Sequence, residues 1–284
     1  MSLWRRSRLQ GRTLRRRSRI PGDLRKQVLG ATLMVLAFAL LAAGVYVYAT
    51  AARAPTLDHA SLCPIDGPRS VTVVLLDSTD DIPDIAKHEI RTTLLDMAET
   101  LPTYGLLDMR LLAPGVPGGR GIFSRCNPGD GSGLSEYTAN PRLAKKRWLE
   151  GFRQPLEEAL DVGFHPAPGK TSPIMETVQR IAIDRFSGRA AEDIPKSLIL
   201  VSDMLEHEPD YSQYQGDLSY GRYKTSRAYR RLQTDLHGAE VTIYYVQRLM
   251  GRPISSADHI RFWAEWVRDN NGRLKQASKL QGEG

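Results

Sequence analysis

The sequence predicts an α/β domain with a mostly parallel, Rossmann-like sheet and helices on both faces, preceded by a single transmembrane helix. Residues 71–76 are all apolar or β-branched, which is typical of a strand buried on both faces. Residues 85–101 have the apolar spacing of an amphipathic helix, and residues 106–112 form a second apolar run. A strand, a helix and a strand at this spacing indicate a βαβ unit, and therefore a parallel sheet.

The segment 28–52 contains no charged residue and is long enough to span a membrane. At 1.5 Å per residue in a helix, it exceeds a hydrocarbon core of about 30 Å. Tyr46 and Tyr48 near its end suit the membrane interface. Residues 49–51 and 52–54 resemble the cleavage sites of signal peptides, but the apolar segment is longer than a signal peptide's usual ~7 to 15 residues. We therefore expect a retained signal anchor.

Residues 1–27 form a basic tail. The first 26 residues hold ten Arg or Lys against one acid, a net charge of +9, whereas the whole chain carries +7 and its other 258 residues therefore −2. Such a run can bind nucleic acid, but beside an apolar segment it indicates the cytoplasmic side of a membrane, so no nucleic acid is expected. The predicted location is the bacterial inner (cytoplasmic) membrane, single-pass, with the C-terminal domain in the periplasm or outside the cell.

The two cysteines agree with a location outside the cytoplasm. Cys63 lies in a Pro-containing linker over residues 53–69, and Cys126 lies in a long irregular section over residues 113–141. An oxidising compartment would allow the two thiols to form a disulfide, and the alternative is two unpaired thiols. A zinc site is not expected, because no histidines stand at ligand spacing.

The remaining segments extend the α/β pattern to residue 272. Further helices and strands are predicted over 142–162, after Pro173, and over 197–201, 226–236, 241–246 and 256–270, with 241–246 as the last clear strand. Four large side chains of the first of these helices share one stripe and are expected in the core: Trp148, Phe152, Leu156 and Leu160. We expect one domain over 70–272 and a flexible tail over 273–284.

Oxygen-bearing side chains gather where predicted strands end or helices begin. Residues 77–81 read Asp-Ser-Thr-Asp-Asp after the first strand, Ser202 and Asp203 follow strand 197–201, and Thr171 and Ser172 precede a helix. Ligands of open α/β sheets bind outside the carboxyl ends of the strands. Hydroxyls and carboxylates suit a hard cation such as Mg²⁺.

Structural roles without a metal are the alternative for the same residues. Thr171 or Ser172 would serve as a helix N-cap, and Asp77 and Asp203 would cap helices or bond to loops. The Gly-Lys-Thr at residues 169–171 lacks the upstream glycine of a phosphate-binding loop, so nucleotide binding is not expected.

The three segments resemble the von Willebrand factor A (VWA) fold and its metal-ion-dependent adhesion site. That family has Asp-x-Ser-x-Ser after the first strand, a Thr opening a later helix, and an Asp ending a later strand. Residue by residue, the resemblance assigns metal ligation to these positions: Asp77, Thr79, Asp81, Ser172 and Asp203. Asp81 stands where the family has its second hydroxyl, which makes the site more anionic, and Thr171 remains an alternative to Ser172.

The resemblance implies a membrane-anchored, extracytoplasmic module that binds an envelope protein through Mg²⁺ or Mn²⁺, with a partner carboxylate completing the coordination. The sequence shows no recognisable nucleophile and base, so no enzyme activity is expected. Two alternatives stay open. One is a metal-dependent phosphohydrolase using Asp77, although Thr79 stands where such enzymes of the haloacid dehalogenase type have Asp. The other is a scaffold subunit with a degenerate metal site.

Overall fold

A computed structural model describes residues 22–50, 55–79, 82–134, 139–165, 169–215, 218–246 and 255–280. The chain separates into two compact units, Met1–Ala54 and Pro55–Gly284. Most of the predicted basic tail lies outside the described residues, as does Asp81, one of the predicted metal ligands.

The first unit contains helix α1, Gly22–Thr50. Within it, residues Asp23–Ala49 are long and apolar enough to cross a membrane, and none of the side chains described there is buried. A long helix that is apolar all round is typical of a membrane span. Within the part of the chain that the structure describes, one helix of the predicted kind is present.

The second unit is built on a six-stranded sheet of order β3-β2-β1-β4-β7-β8. Only the β2–β3 pair is antiparallel, and the other four pairs are parallel. The strands of this sheet have the following bounds: β1 Ser70–Leu76, β2 Gly105–Leu111, β3 Arg120–Cys126, β4 Lys196–Ser202, β7 Glu240–Val246 and β8 Arg273–Leu280. A separate short hairpin pairs β5, His207–Glu208, with β6, Tyr211–Ser212. The predicted, mostly parallel sheet is confirmed.

Helices cover both faces of this sheet. Their bounds are α2 Asp84–Thr100, α3 Pro141–Trp148, α4 Gln154–Gly163, α5 Ile174–Ile181, α6 Tyr220–Thr225, α7 Arg227–Leu232 and α8 Ser256–Asp269. One hydrophobic core packs α5, α6, α7 and α8 against the sheet, and a second core packs α2, α3 and α4. Side chains of β1 alternate between the two cores, which explains why its sequence is apolar throughout. All four residues of the predicted Trp148 stripe are buried in the second core.

Two strands appear where the sequence predicted irregular chain. Strand β3 lies inside the section 113–141, and β8 lies in the segment that was expected to be a flexible tail from residue 273. Both are end strands of the sheet, so each pairs on one side and keeps many side chains in water. Their polar composition reflects that exposure and hides the strand pattern.

The predicted linker 53–69 is also wrong from residue 55 onward, because this segment folds onto the domain. Cys63 and Cys126 form the predicted disulfide, with 63 residues of sequence separation. The Cys126 N–H donates to the Ser61 carbonyl over 2.8 Å, and Leu57 forms a β-bridge with Pro64. Backbone hydrogen bonds of this kind leave no periodic signal in the sequence.

Candidate functional site

Asp77 and Asp203 lie side by side at one edge of the sheet. Each follows a strand, and because β1 and β4 are adjacent and parallel, their carboxyl ends meet. The Asp77 N–H donates to the Val201 carbonyl over 2.9 Å. The two aspartates are only 2% and 3% exposed. The structure therefore brings together two of the carboxylates that the sequence singled out.

Asp77 is held by hydroxyl groups from both strand ends. Its Oδ1 accepts hydrogen bonds from the Thr79 hydroxyl (2.6 Å) and the Thr79 N–H (3.1 Å). Its Oδ2 accepts one from the Ser202 hydroxyl over 2.7 Å. Sequence reasoning grouped Ser202 with Asp203 but not with Asp77, which lies 125 residues away. These bonds fix the orientation of the Asp77 carboxylate.

The turn that carries Asp203 is fixed in the same way. The Asp203 Oδ1 accepts from the Leu205 N–H over 3.0 Å, and the Ser202 Oγ accepts from the Met204 N–H over 2.8 Å. Met204 has a φ of 61°, a left-handed conformation that costs roughly 1 to 3 kcal/mol for a residue with a side chain. The indole of Trp263 donates to the Met204 carbonyl over 2.9 Å and holds the turn from α8.

Burial and the charge of Asp77 dominate the electrostatics of Asp203. Burial, and then the charge of Asp77, raise the pKa of Asp203 to about 7. Burial, followed by the charges of Asp203 and Asp77, raises the pKa of Tyr214 to about 12. Tyr214, which the sequence did not single out, therefore lies in the field of both carboxylates. A cation between the carboxylates would relieve their repulsion and favour the ionised form of Asp203.

Ser172 reaches this region through the β5 strand. Its N–H donates to the His207 carbonyl (2.9 Å), and its carbonyl accepts from the His207 N–H (3.0 Å). The His207 ring contacts the Tyr214 ring, with 5.2 Å between centroids. Ser172 is buried whereas Thr171 is partly exposed, so Ser172 is the better placed of the two alternatives.

The predicted helix N-cap at Thr171 or Ser172 is wrong. The N-cap position of α5 is Pro173, and no side chain makes a capping hydrogen bond there. The Ser172 hydroxyl is buried without a hydrogen-bond partner among the described residues, and so is the Ser78 hydroxyl. A buried hydroxyl that is left unpaired costs free energy, which is recovered when a ligand occupies its lone pairs.

The available donors fit a hard cation. The described residues contain no group of three or more His, Cys, Asp or Glu side chains that would hold a metal ion. A cation at the two aspartates would therefore be bound by carboxylate and hydroxyl oxygens together with water. Mg²⁺ and Mn²⁺ accept such ligands, whereas zinc prefers nitrogen and sulfur. The unpaired hydroxyls and the raised pKa of Asp203 agree with such a site.

The nearby sequence Glu206-His207-Glu208 does not form a ligand cluster. Glu206 turns into the protein and bonds to α5, and Glu208 pairs with Arg231. The His207 Nδ1 lies 2.9 Å from the Ser212 hydroxyl. Glu206 is fully buried.

Loss of the Ser202 hydroxyl should destabilise the site measurably. Ser202→Ala leaves the Asp77 Oδ2 and the Met204 N–H without this partner, and we expect the free energy of unfolding to fall by about 2 kcal/mol. Urea unfolding followed by tryptophan fluorescence measures this change in the free energy of unfolding. The matched control is Ser197→Ala, at the half-buried opposite end of β4, which should lower the free energy of unfolding by less than about 0.5 kcal/mol. Equal losses in both variants would contradict the assigned bonds.

No protein-family model matches the sequence, and no curated protein matches it. The solved structures that match this chain include the conserved hypothetical protein BatB from Bacteroides thetaiotaomicron, with a TM-score of 0.38 and 8% identity over 75% of this chain and 91% of that chain. Another is an aerotolerance-related membrane protein from Bacteroides fragilis with multiple mutations to serines. Its TM-score is 0.33 and its identity 12%, over 75% of this chain and 92% of that chain.

The second unit of the chain has the architecture of an α/β domain. The sheet is mostly parallel, helices cover both of its faces, and Asp77 and Asp203 directly follow two adjacent parallel strands. Helix α1 precedes this domain and is long and apolar enough to span a membrane. An α/β domain that resembles the von Willebrand factor A fold in its sheet and in the placement of Asp77 and Asp203 therefore follows a helix that is long and apolar enough to span a membrane.

Proposed function

We propose that this chain is a membrane-anchored binding module whose site at Asp77 and Asp203 takes Mg²⁺ or Mn²⁺ and engages a carboxylate of an envelope protein. The pairing of two buried carboxylates at adjacent strand ends, each fixed by hydrogen bonds, carries the proposal. Two buried carboxylates side by side are unfavourable unless one is protonated or a cation lies between them.

Each residue has a role in this proposal. Asp77 and Asp203 supply negative charge, while Thr79 and Ser202 orient the Asp77 carboxylate through their hydroxyls. The Ser172 and Ser78 hydroxyls offer lone pairs to the cation or to its water. The bound cation would supply the positive charge that attracts the carboxylate of the partner.

The anchoring part of the proposal rests on charge and redox chemistry. The net charge of +9 over the first 26 residues, ahead of the uncharged segment 28–52, favours a cytoplasmic N-terminus, which leaves the α/β domain on the other side of the membrane. The Cys63–Cys126 disulfide agrees with that oxidising side. We therefore propose a periplasmic or extracellular domain attached to the cytoplasmic membrane.

Titration with Mg²⁺ and with Mn²⁺ tests the proposal. The 284-residue chain is reconstituted in nanodiscs without reductant, and calorimetry measures cation binding to the wild type, Asp77→Asn and Asp96→Asn. We expect saturable binding that Asp77→Asn weakens by more than the roughly 10- to 100-fold typical of losing an outer-shell partner. Asp96→Asn, an exposed change on α2, should bind as the wild type does.

Two results would contradict the binding module. A folded wild type that binds neither cation would leave a scaffold with a degenerate site. Turnover of an aryl phosphate ester that Asp77→Asn abolishes would instead support the phosphohydrolase, because Asp77 would then act as a nucleophile.

A further inference from the structure

Glu206 connects two parts of the candidate site that are far apart in sequence. It lies three residues after Asp203 and is fully buried. Its Oε2 accepts a hydrogen bond over 2.9 Å from the N–H of Met175, the second residue of α5. The side chain therefore joins the Asp203 turn to the start of α5, 31 residues away in the sequence.

The backbone around Glu206 strengthens this connection. The Glu206 N–H donates to the Gln213 Oε1 (3.0 Å), and its carbonyl accepts from the Gln213 N–H (3.0 Å). The next residue, His207, makes two backbone bonds with Ser172. Two consecutive residues thus hold the Asp203 turn against the segment that carries Ser172.

The start of α5 depends on Glu206 because it lacks an ordinary cap. The residue at the N-cap is Pro173, and no side chain bonds there from the cap position. Unpaired N–H groups at the start of a helix attract an acceptor, and Glu206 supplies one from another part of the chain. Burying a carboxyl group is otherwise unfavourable, and burial raises the pKa of Glu206 above its usual range. A hydroxyl at the N-cap would stabilise the helix alone without burying a carboxyl group.

We infer that Glu206 is a positioning residue that sets the separation between Ser172 and Asp203, and through it the affinity of the site for a divalent cation. This inference rests on the proposed metal-binding function. The required feature is a hydrogen-bond acceptor at the Oε2 position. A neutral side chain with the same acceptor should therefore preserve the affinity for the cation, whereas an apolar side chain of equal length should lower it.

Two variants of nearly equal size separate these cases. Glu206→Gln keeps an oxygen acceptor, and Glu206→Met removes it. In the full chain in nanodiscs, we expect Glu206→Met to weaken Mg²⁺ binding by about 10- to 100-fold, as the loss of outer-shell partners does, and Glu206→Gln to bind close to the wild type.

A control variant distinguishes positioning from a general loss of stability. Phe152→Leu acts in the second hydrophobic core, whereas Met175 and Met204 lie in the first. It should lower the melting temperature without changing the Mg²⁺ affinity. Unchanged Mg²⁺ binding in Glu206→Met, or an equal loss of affinity in Phe152→Leu, would overturn the inference.

Hydrogen exchange keeps the test decisive if the wild type binds no Mg²⁺, in which case the proposed function fails by itself. In Glu206→Met, amide exchange should rise together in segments 172–177 and 203–207, while Glu206→Gln stays protected as in the wild type. A rise in one segment alone, or in neither, would show that Glu206 does not join them.

Discussion

Replacing Cys63 and Cys126 together by alanine is expected to lower the free energy of unfolding of the α/β domain by about 4 kcal/mol. The disulfide closes a loop between residues separated by 63 positions, and the entropy lost by the unfolded chain grows with the length of the closed loop. Urea unfolding of the full chain in detergent, followed by tryptophan fluorescence, measures the change through the midpoint and its slope.

Reduction provides the control for this double variant. Addition of dithiothreitol to the wild type should bring its midpoint close to that of the variant, and the variant itself should not respond. The residues around Cys63 should also become more accessible to protease, because the disulfide and the Cys126 N–H bond to Ser61 attach this segment to β3. A variant that is as stable as the oxidised wild type would contradict the expectation.

Opposite pH dependences are expected from Asp203 and His259 when no metal is present. The folded pKa of Asp203 is raised from 3.8 to about 7, chiefly by burial, so folding favours the protonated acid. Its stabilising contribution is complete below pH 3.8 and is lost as the pH rises through 7, about 4 kcal/mol in all.

His259 acts in the other direction. Burial lowers its folded pKa from 6.5 to about 4, so folding favours the neutral ring. Its contribution is present above pH 6.5 and is lost as the pH falls through 4, about 3 kcal/mol in all. Within the window from pH 4 to 7 the two effects therefore oppose each other.

Two variants separate the contributions. Unfolding in urea with EDTA is measured from pH 4 to 8 for the wild type, Asp203→Asn and His259→Gln. Relative to the wild type, Asp203→Asn should gain stability with rising pH, and His259→Gln should lose it. Groups common to the three proteins cancel in these differences. Parallel curves for the two variants would contradict the assigned pKa directions.

The parts of the fold that the sequence predicts are those where burial leaves a regular pattern of residue types. Strand β1 is buried at every residue and is apolar or β-branched from Val71 to Leu76, whereas helix α2 buries one face and has apolar residues at helical spacing. End strands β3 and β8 and the segment that carries Cys63 are held by backbone pairing and by one covalent bond. Those forces leave little trace in residue type, which explains why these segments were missed.

The candidate site also has one part that the sequence predicts and another part that it does not. The sequence places Asp77 and Asp203 at the same edge of the sheet, because each follows a predicted strand and the carboxyl ends of parallel strands lie at one edge. Their hydrogen bonds could not be predicted, since Ser202 reaches Asp77 across 125 residues and Glu206 reaches α5 across 31. Such contacts depend on three-dimensional packing, which local sequence patterns do not encode.

The position of β8 at the end of the sheet bears on how the protein behaves when crowded. An end strand offers its outer backbone groups to other extended chains, which is a route to aggregation. Here Arg273 and Lys275 pair with Glu240 on β7, and Lys279 adds a third positive charge along the strand. A second copy approaching this edge would bring like charges together, so β8 resists edge-to-edge association between identical molecules.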